Sequence, residues 1–463
     1  MLASLVHYFF PDLNKDEIKK FSYLSLTFFL IIGSYWLVRL LKTTVFMKIA
    51  FPESLGWAAE QGRLFQPLAK VYSPIVVLIL VVIYSKLVDL VPKHVLFYII
   101  CTFYSLIFGI IGATLYVHNH YGDAYLGRTL LAAVGWGSYF LTESFGSLVV
   151  ALFWSFTNSI CTSESAKSGY PMILSCAQFG AILGSMLMIG QFDLWKLYFA
   201  VAICIGLVII VIARFMKAIP ASQMVGNRQA AATEKKEEGF LEGLLAGVRL
   251  LVTSPYIFGI LIVSTIYEVI NQIIEFQMNT QAHKVPEFAT TLGFAQFQGY
   301  YGTATNILSF LMALLGTSYL IKRFGLRFGL LFYPICLCLA FSFLFAFYTF
   351  GMTTPGQLLT ALFVTMMIAK GLGYAVNNPV KEMMYIPTSK DVKFKSKGFI
   401  DVFGGRMAKL GGGAINNIFK EHAHSLMVYG TMISFGLTGI WILAALFVGR
   451  KNAQLIADNE IVE

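Results

Sequence analysis

The stretch YSKLVDLVPKHVLFY, Tyr84 to Tyr98, returns about half a chain later as YLIKRFGLRFGLLFY, Tyr319 to Tyr333. The two match at the leading tyrosine, at the closing Leu-Phe-Tyr and in the basic residues between. Each joins two long apolar runs. A polar connector repeated at half the chain length, between runs of that kind, marks a duplicated helical unit. A weaker echo pairs SAKSGY (Ser165 to Tyr170) with KSKGF (Lys395 to Phe399).

Outward from these connectors, apolar runs of spanning length lie near 21–40, 68–85, 95–117, 130–157, 170–190 and 197–215. A second six lie near 255–276, 299–321, 328–350, 356–377, 400–418 and 426–449, the fifth of these being the least apolar. About 20 apolar residues span a bilayer, so the reading is an all-α polytopic membrane protein of about a dozen transmembrane helices. The expected divisions are an N-terminal segment 1–20, a six-helix half 21–215, a linker 216–254, a second six-helix half 255–449 and a tail 450–463. The linker contains GNRQAAATEKKEEG, whose charge and small residues mark a solvated connection.

Composition excludes other classes. Of 463 residues 57% are hydrophobic and 13% charged, against about 25% charged in soluble domains. The net charge of +10 is dispersed over loops rather than clustered on a soluble module, so no nucleic-acid partner is expected. Loops and ends on the N-terminal side hold 21 lysines and arginines against 6 opposite. The positive-inside rule then puts both termini and the linker in the cytoplasm, in a bacterial inner membrane. The six cysteines lack disulfide or zinc spacing and read as packing residues. No cofactor or metal is expected. No Walker-type phosphate loop occurs, so ATP hydrolysis is not expected to drive the protein.

Charged side chains inside a span are costly unless paired or hydrated, and mark functional sites by default. Here they are Arg39, Lys42, Lys70, Lys370, Lys381, Arg406 and Lys409, with Glu143, Glu268, Glu275, Glu382 and Asp401. The cationic excess suits a phosphorylated or carboxylated small anion better than a sugar or a metal ion. Arg39 and Lys42, three apart on the first helix, either snorkel to the interface or face the cavity. Glu143 lies too deep for rescue by either helix end and needs a cation or a proton. Glu268 and Glu275 share a face of the seventh helix with Asn271 and Gln272 nearby. Pro379 and Pro387 are expected to break the tenth helix beside Lys381. Arg406 and Lys409 share a face of the glycine-rich eleventh.

Three motifs, ESFGSLVVALFWSFTNS followed by SESAKSGY, NPVKEMMYIP, and KSKGFIDVFGGRMAKLGGG, resemble the nucleotide transporter family, the ATP/ADP translocases of plastids and intracellular bacteria. The resemblance runs from Phe21 to about Phe447. It implies a major-facilitator-like twelve-helix carrier that exchanges ATP for ADP or imports nucleotides with protons. It also implies functional roles for Lys42, Glu143, Glu275 and Lys381. Asn279, Thr280, Gln281 and Ala282 stand where members that exchange ATP for ADP carry basic residues, and Asn378 where they carry an Asp. The function expected is a secondary transporter of nucleotides, monomeric in lipid. The alternative is a proton-coupled carrier of another phosphorylated anion or of inorganic phosphate. Lys42, Lys381, Arg406, Lys409 and Arg39 are the candidate substrate-binding residues, with Glu143 and Glu275 as coupling residues.

Overall fold

Helix follows helix through the chain, because hydrocarbon offers backbone N–H and C=O groups no partner outside their own segment. The computed structural model describes residues 13–220, 224, 240–315, 317–350 and 354–462. The expected N-terminal segment up to residue 12, and the linker sequence GNRQAAATEKKEEG, lie outside the described residues.

The helices are α1 (Lys15–Lys48), α2 (Gln61–Leu90), α3 (Lys93–Tyr121), α4 (Asp123–Ile160), α5 (Ser163–Met186), α6 (Leu194–Ala218) and α7 (Phe240–Thr253). They continue as α8 (Pro255–Ala282), α9 (Thr291–Leu315), α10 (Thr317–Thr349), α11 (Pro355–Leu372), α12 (Asn378–Met384), α13 (Lys390–Phe399), α14 (Gly405–Phe419) and α15 (Ala423–Ala457). Among the described residues, nine helices are long and apolar enough to cross a membrane. Large apolar side chains such as Leu106, Ile110, Ile203, Leu339 and Leu443 stand exposed on the helices, where a bilayer would cover them. The chain is an all-α, multi-pass membrane protein.

Local sequence sets the helix starts. Asn14 accepts from Glu17 N at 2.8 Å while the Glu17 carboxylate accepts from Asn14 N, a capping box at the head of α1. Thr354 and Gln357 repeat the device on α11, with Pro355 in the first turn where its missing N–H is harmless. Pro379 does not break the tenth span as expected. Residues Gly373–Asn377 form a π turn, and Pro379 sits in the first turn of the helix that follows. The wider turn accommodates the proline, so the helix runs on to Met384 and only Pro387 lies beyond its end. A second π turn, Ile400–Gly404, leads into α14.

The described residues divide into two compact units. The first draws on 13–63, 75–220, 224 and 290–303. Its seam is α1 against α5, made possible by small residues. A Cβ on Gly184 would stand 2.2 Å from Gly33 O, and one on Gly180 2.4 Å from Phe29 O. Phe28 stacks on Phe153 at 4.2 Å within this core.

The second unit draws on 64–74 and on the described residues of 240–289 and 304–462. Helix α8 is its centre, with α11, α14 and α15 packed around it. A Cβ on Gly412 would stand 2.6 Å from Gln272 Cβ, so α14 lies directly on α8, and Asn416 Nδ2 donates to Gln272 O at 2.8 Å. Tyr256 OH donates to Met384 O at 2.6 Å and accepts from Asn452 Nδ2 at 2.7 Å, tying α8, α12 and α15 together.

Candidate functional site

In the first unit, α1 delivers Lys42 and α4 delivers Glu143. The lysine is buried at 4% exposure, and its ammonium is ion-paired to Glu143 Oε1. One turn before the glutamate, Tyr139 places its ring 4.1 Å from the same ammonium, a cation–π contact. Gly146 leaves room for Tyr35, whose ring an added Cβ would meet at 2.2 Å. A lysine so enclosed is dehydrated, and its charge is held by one carboxylate and one aromatic face. Arg39, a turn earlier, is half-buried with its guanidinium 5.0 Å from the Trp36 ring.

In the second unit, Glu275 on α8 is held by Lys70, from the 64–74 segment of α2, at 2.7 Å. Lys70 is 7% exposed, and its Cβ and Pro67 O lie against Gly413, where an added Cβ would meet each at 3.2 Å. Lys381 reaches Asp401 Oδ1 at 3.5 Å and lies 5.9 Å from the Tyr267 ring. Its neighbour Glu382 accepts from Lys397 at 2.5 Å. The two π turns bracket this group: one precedes the helix of Lys381, and the other contains Asp401. Arg406 and Lys409 follow on α14, both half-buried and three residues apart.

The structure therefore joins Lys42 to Glu143 and gives Glu275 a different lysine from those proposed as binding residues. Sequence reasoning counted Lys70 among the membrane-depth cations without giving it a role. Its signal was a lone lysine in an apolar run, but its partner is 205 positions away. Asp401, likewise only counted, is the acceptor for Lys381. Chemically, each pair is a lysine whose counter-ion is a protein carboxylate, and a phosphoryl oxygen makes the same charge-assisted bond.

In fold, these helical units match solved structures of polytopic, major-facilitator-type membrane proteins. A crystal structure of the nucleoside transporter NupG matches with a TM-score of 0.60 at 15% identity, over 93% of this chain and 99% of that one. The inward-open xylose transporter XylE from E. coli matches at 0.57 and 10%, over 93% and 95%. At such identities these neighbours speak for the fold alone.

The chain belongs to the TLC ATP/ADP transporter family, whose model matches residues 2–451. ADP,ATP carrier protein 2, chloroplastic, of Arabidopsis thaliana is 26% identical over 96% of this chain and 76% of its own. ADP,ATP carrier protein 1 of Chlamydia pneumoniae is 24% identical over 98% and 95%. That of Rickettsia prowazekii (strain Madrid E) is 24% identical over 97% and 96%. The protein is a transporter and not an enzyme.

Proposed function

We propose that this chain exchanges nucleotides across a membrane by alternating access, ATP against ADP or a related nucleotide. The observation that carries this reading is a buried lysine–glutamate ion pair in each unit, Lys42–Glu143 and Lys70–Glu275, in a family whose relatives are named ADP,ATP carriers. Substrate phosphates exchange with the carboxylates as partners of Lys42 and Lys381, with Arg39, Arg406 and Lys409 adding charge. Glu143, released when phosphate takes Lys42, and Glu275, paired to Lys70, are the coupling residues. Each of these lysines then keeps an anionic partner throughout the cycle, which spares the penalty of a lone cation at membrane depth.

The charge imbalance of the loops supports a bacterial inner-membrane location with both termini cytoplasmic. Halves at 21–215 and 255–449, joined by a cytoplasmic linker, a monomer in lipid, and no nucleic-acid partner complete the reading. A second reading, proton-coupled import of another phosphorylated anion or of inorganic phosphate, is favoured by one observation: buried, neutral Asn279, Thr280 and Gln281 follow Glu275.

Labelled ATP uptake into proteoliposomes decides between the two. Internal ADP should drive uptake without a proton gradient, and Lys42→Gln should weaken apparent affinity roughly 10- to 150-fold, the worth of one charge-assisted contact. Uptake that follows an inward proton gradient and ignores internal nucleotide establishes the second reading. Uptake indifferent to both overturns the two together.

A further inference from the structure

Lys370 is a buried lysine for which the reading above has no use. It stands in the last turn of α11 at 6% exposure, just before the π turn. Among the described residues it makes neither an ion pair nor a hydrogen bond. Its side chain lines a cavity of the second unit together with Tyr267, Glu268 and Asn271 from α8, and Tyr374 and Asn378 at and after the π turn. Asn271 is 1% exposed, and its Oδ1 is buried without a hydrogen-bond partner. Tyr374 and Asn378 are exposed and form the mouth.

Two physical points fix what this cavity takes. Its water-accessible space is about 30 Å³; at about 10–15 Å³ per water, that is room for roughly two waters and none for a base or sugar. A buried ammonium without a protein counter-ion is unfavourable unless water or an anion supplies one. Glu268 lines the same cavity but has interactions of its own and does not form an ion pair with Lys370. Amides can turn either end toward a ligand, so Asn271 and Asn378 can donate alongside the lysine.

We propose that this cavity is an oxyanion subsite, in which phosphoryl oxygens displace the two waters and take Lys370 as their cation. The inference deepens the nucleotide reading and rests on it for the nucleotide as source; free inorganic phosphate is the other source of the same chemistry. Tyr267 connects the subsite to the proposed binding residues, since its ring lies 5.9 Å from the Lys381 ammonium. A phosphate chain held at Lys381 thus has a second cation within the same unit.

The test is binding of labelled ATP and of inorganic phosphate to the full-length purified protein, comparing wild type with Lys370→Gln, Lys370→Arg and Asn271→Leu. Lys370→Gln should raise the ATP Kd roughly 10- to 150-fold, and Lys370→Arg should keep most of the affinity. Asn271→Leu removes the amide from the cavity at nearly the same size, should weaken ATP binding in the same direction, and should add little in the Lys370→Gln background. A lysine that serves only to support the fold would leave the Asn271→Leu Kd unchanged. Unchanged ATP and phosphate binding in both Lys370→Gln and Asn271→Leu overturns the subsite. If Lys370→Gln does not fold, Asn271→Leu decides alone. Phosphate that competes with ATP only when Lys370 is present identifies the free anion as a ligand too. Lys370-dependent ATP binding without such competition assigns the site to the nucleotide. Should wild type bind no nucleotide, the nucleotide reading falls, and Lys370-dependent phosphate binding, or its absence, still upholds or overturns the subsite.

Discussion

Lys42–Glu143 in the first unit and Lys381–Asp401 in the second are both lysine–carboxylate pairs, yet they differ in kind. The Lys42 side chain is 5% exposed, in direct contact with its glutamate and against an aromatic ring, whereas Asp401 is 44% exposed and 3.5 Å from Lys381. A desolvated pair holds its geometry strongly, because removing one partner strands the other charge. An open, long pair is screened by water and exchanges partners at little cost. The contrast separates a lysine that parts from its carboxylate only when another anion takes its place from one that leaves its carboxylate at little cost.

The largest test of that contrast is Glu143→Gln. Stranding the buried Lys42 should destabilise the protein by about 3–5 kcal/mol, whereas Asp401→Asn should change stability by less than about 1 kcal/mol. Thermal unfolding in detergent measures both, and equal effects would erase the distinction. Next comes Lys381→Gln. It should weaken nucleotide binding by about 1.5–3 kcal/mol while moving the unfolding transition very little, so affinity and stability part company at this residue. Unaltered nucleotide affinity would remove Lys381 from the site.

Packing gives two smaller effects. Gly184→Ala forces a methyl into Gly33 O and should cost about 1–3 kcal/mol in the first unit. Gly411→Ala in the second unit meets open space on a helix and should stabilise by about 0.4–1 kcal/mol. The same melting assay reads both, and a stabilising Gly184→Ala would show that α1 and α5 can move apart without penalty.

The helical architecture was legible because spanning runs and their connectors are local patterns, and hydrocarbon leaves the backbone no alternative to helix. The inventory of membrane-depth charges was legible for the same reason, since a lysine in an apolar run is conspicuous. Pairing was not. Lys70 meets Glu275 only because α14 and α8 hold the 64–74 segment, and nothing near either residue announces the other. Pro379 was misread because local propensity says break, while tertiary packing holds the helix through it. Tyr333 OH, for instance, donates to Ala369 O at 2.5 Å just before the π turn. The π turns themselves leave no signature that composition or periodicity detects.

Those turns have a genetic consequence. A π turn is an α-helix with one residue more than its neighbours need, and one residue in an α-helix is worth about 100° of rotation and 1.5 Å of rise. Deleting a single codon within 373–377 would close the turn to regular α geometry, and Lys381 beyond it would keep its bearing, because the wide turn holds the surplus residue locally. The same deletion a few residues further on, in regular helix, would swing Lys381 by about 100° away from Tyr267 and Asp401. The turn is thus a place where reading length can change by one while the lysine stays on its face. The second turn at Ile400–Gly404 gives the same latitude ahead of Arg406 and Lys409.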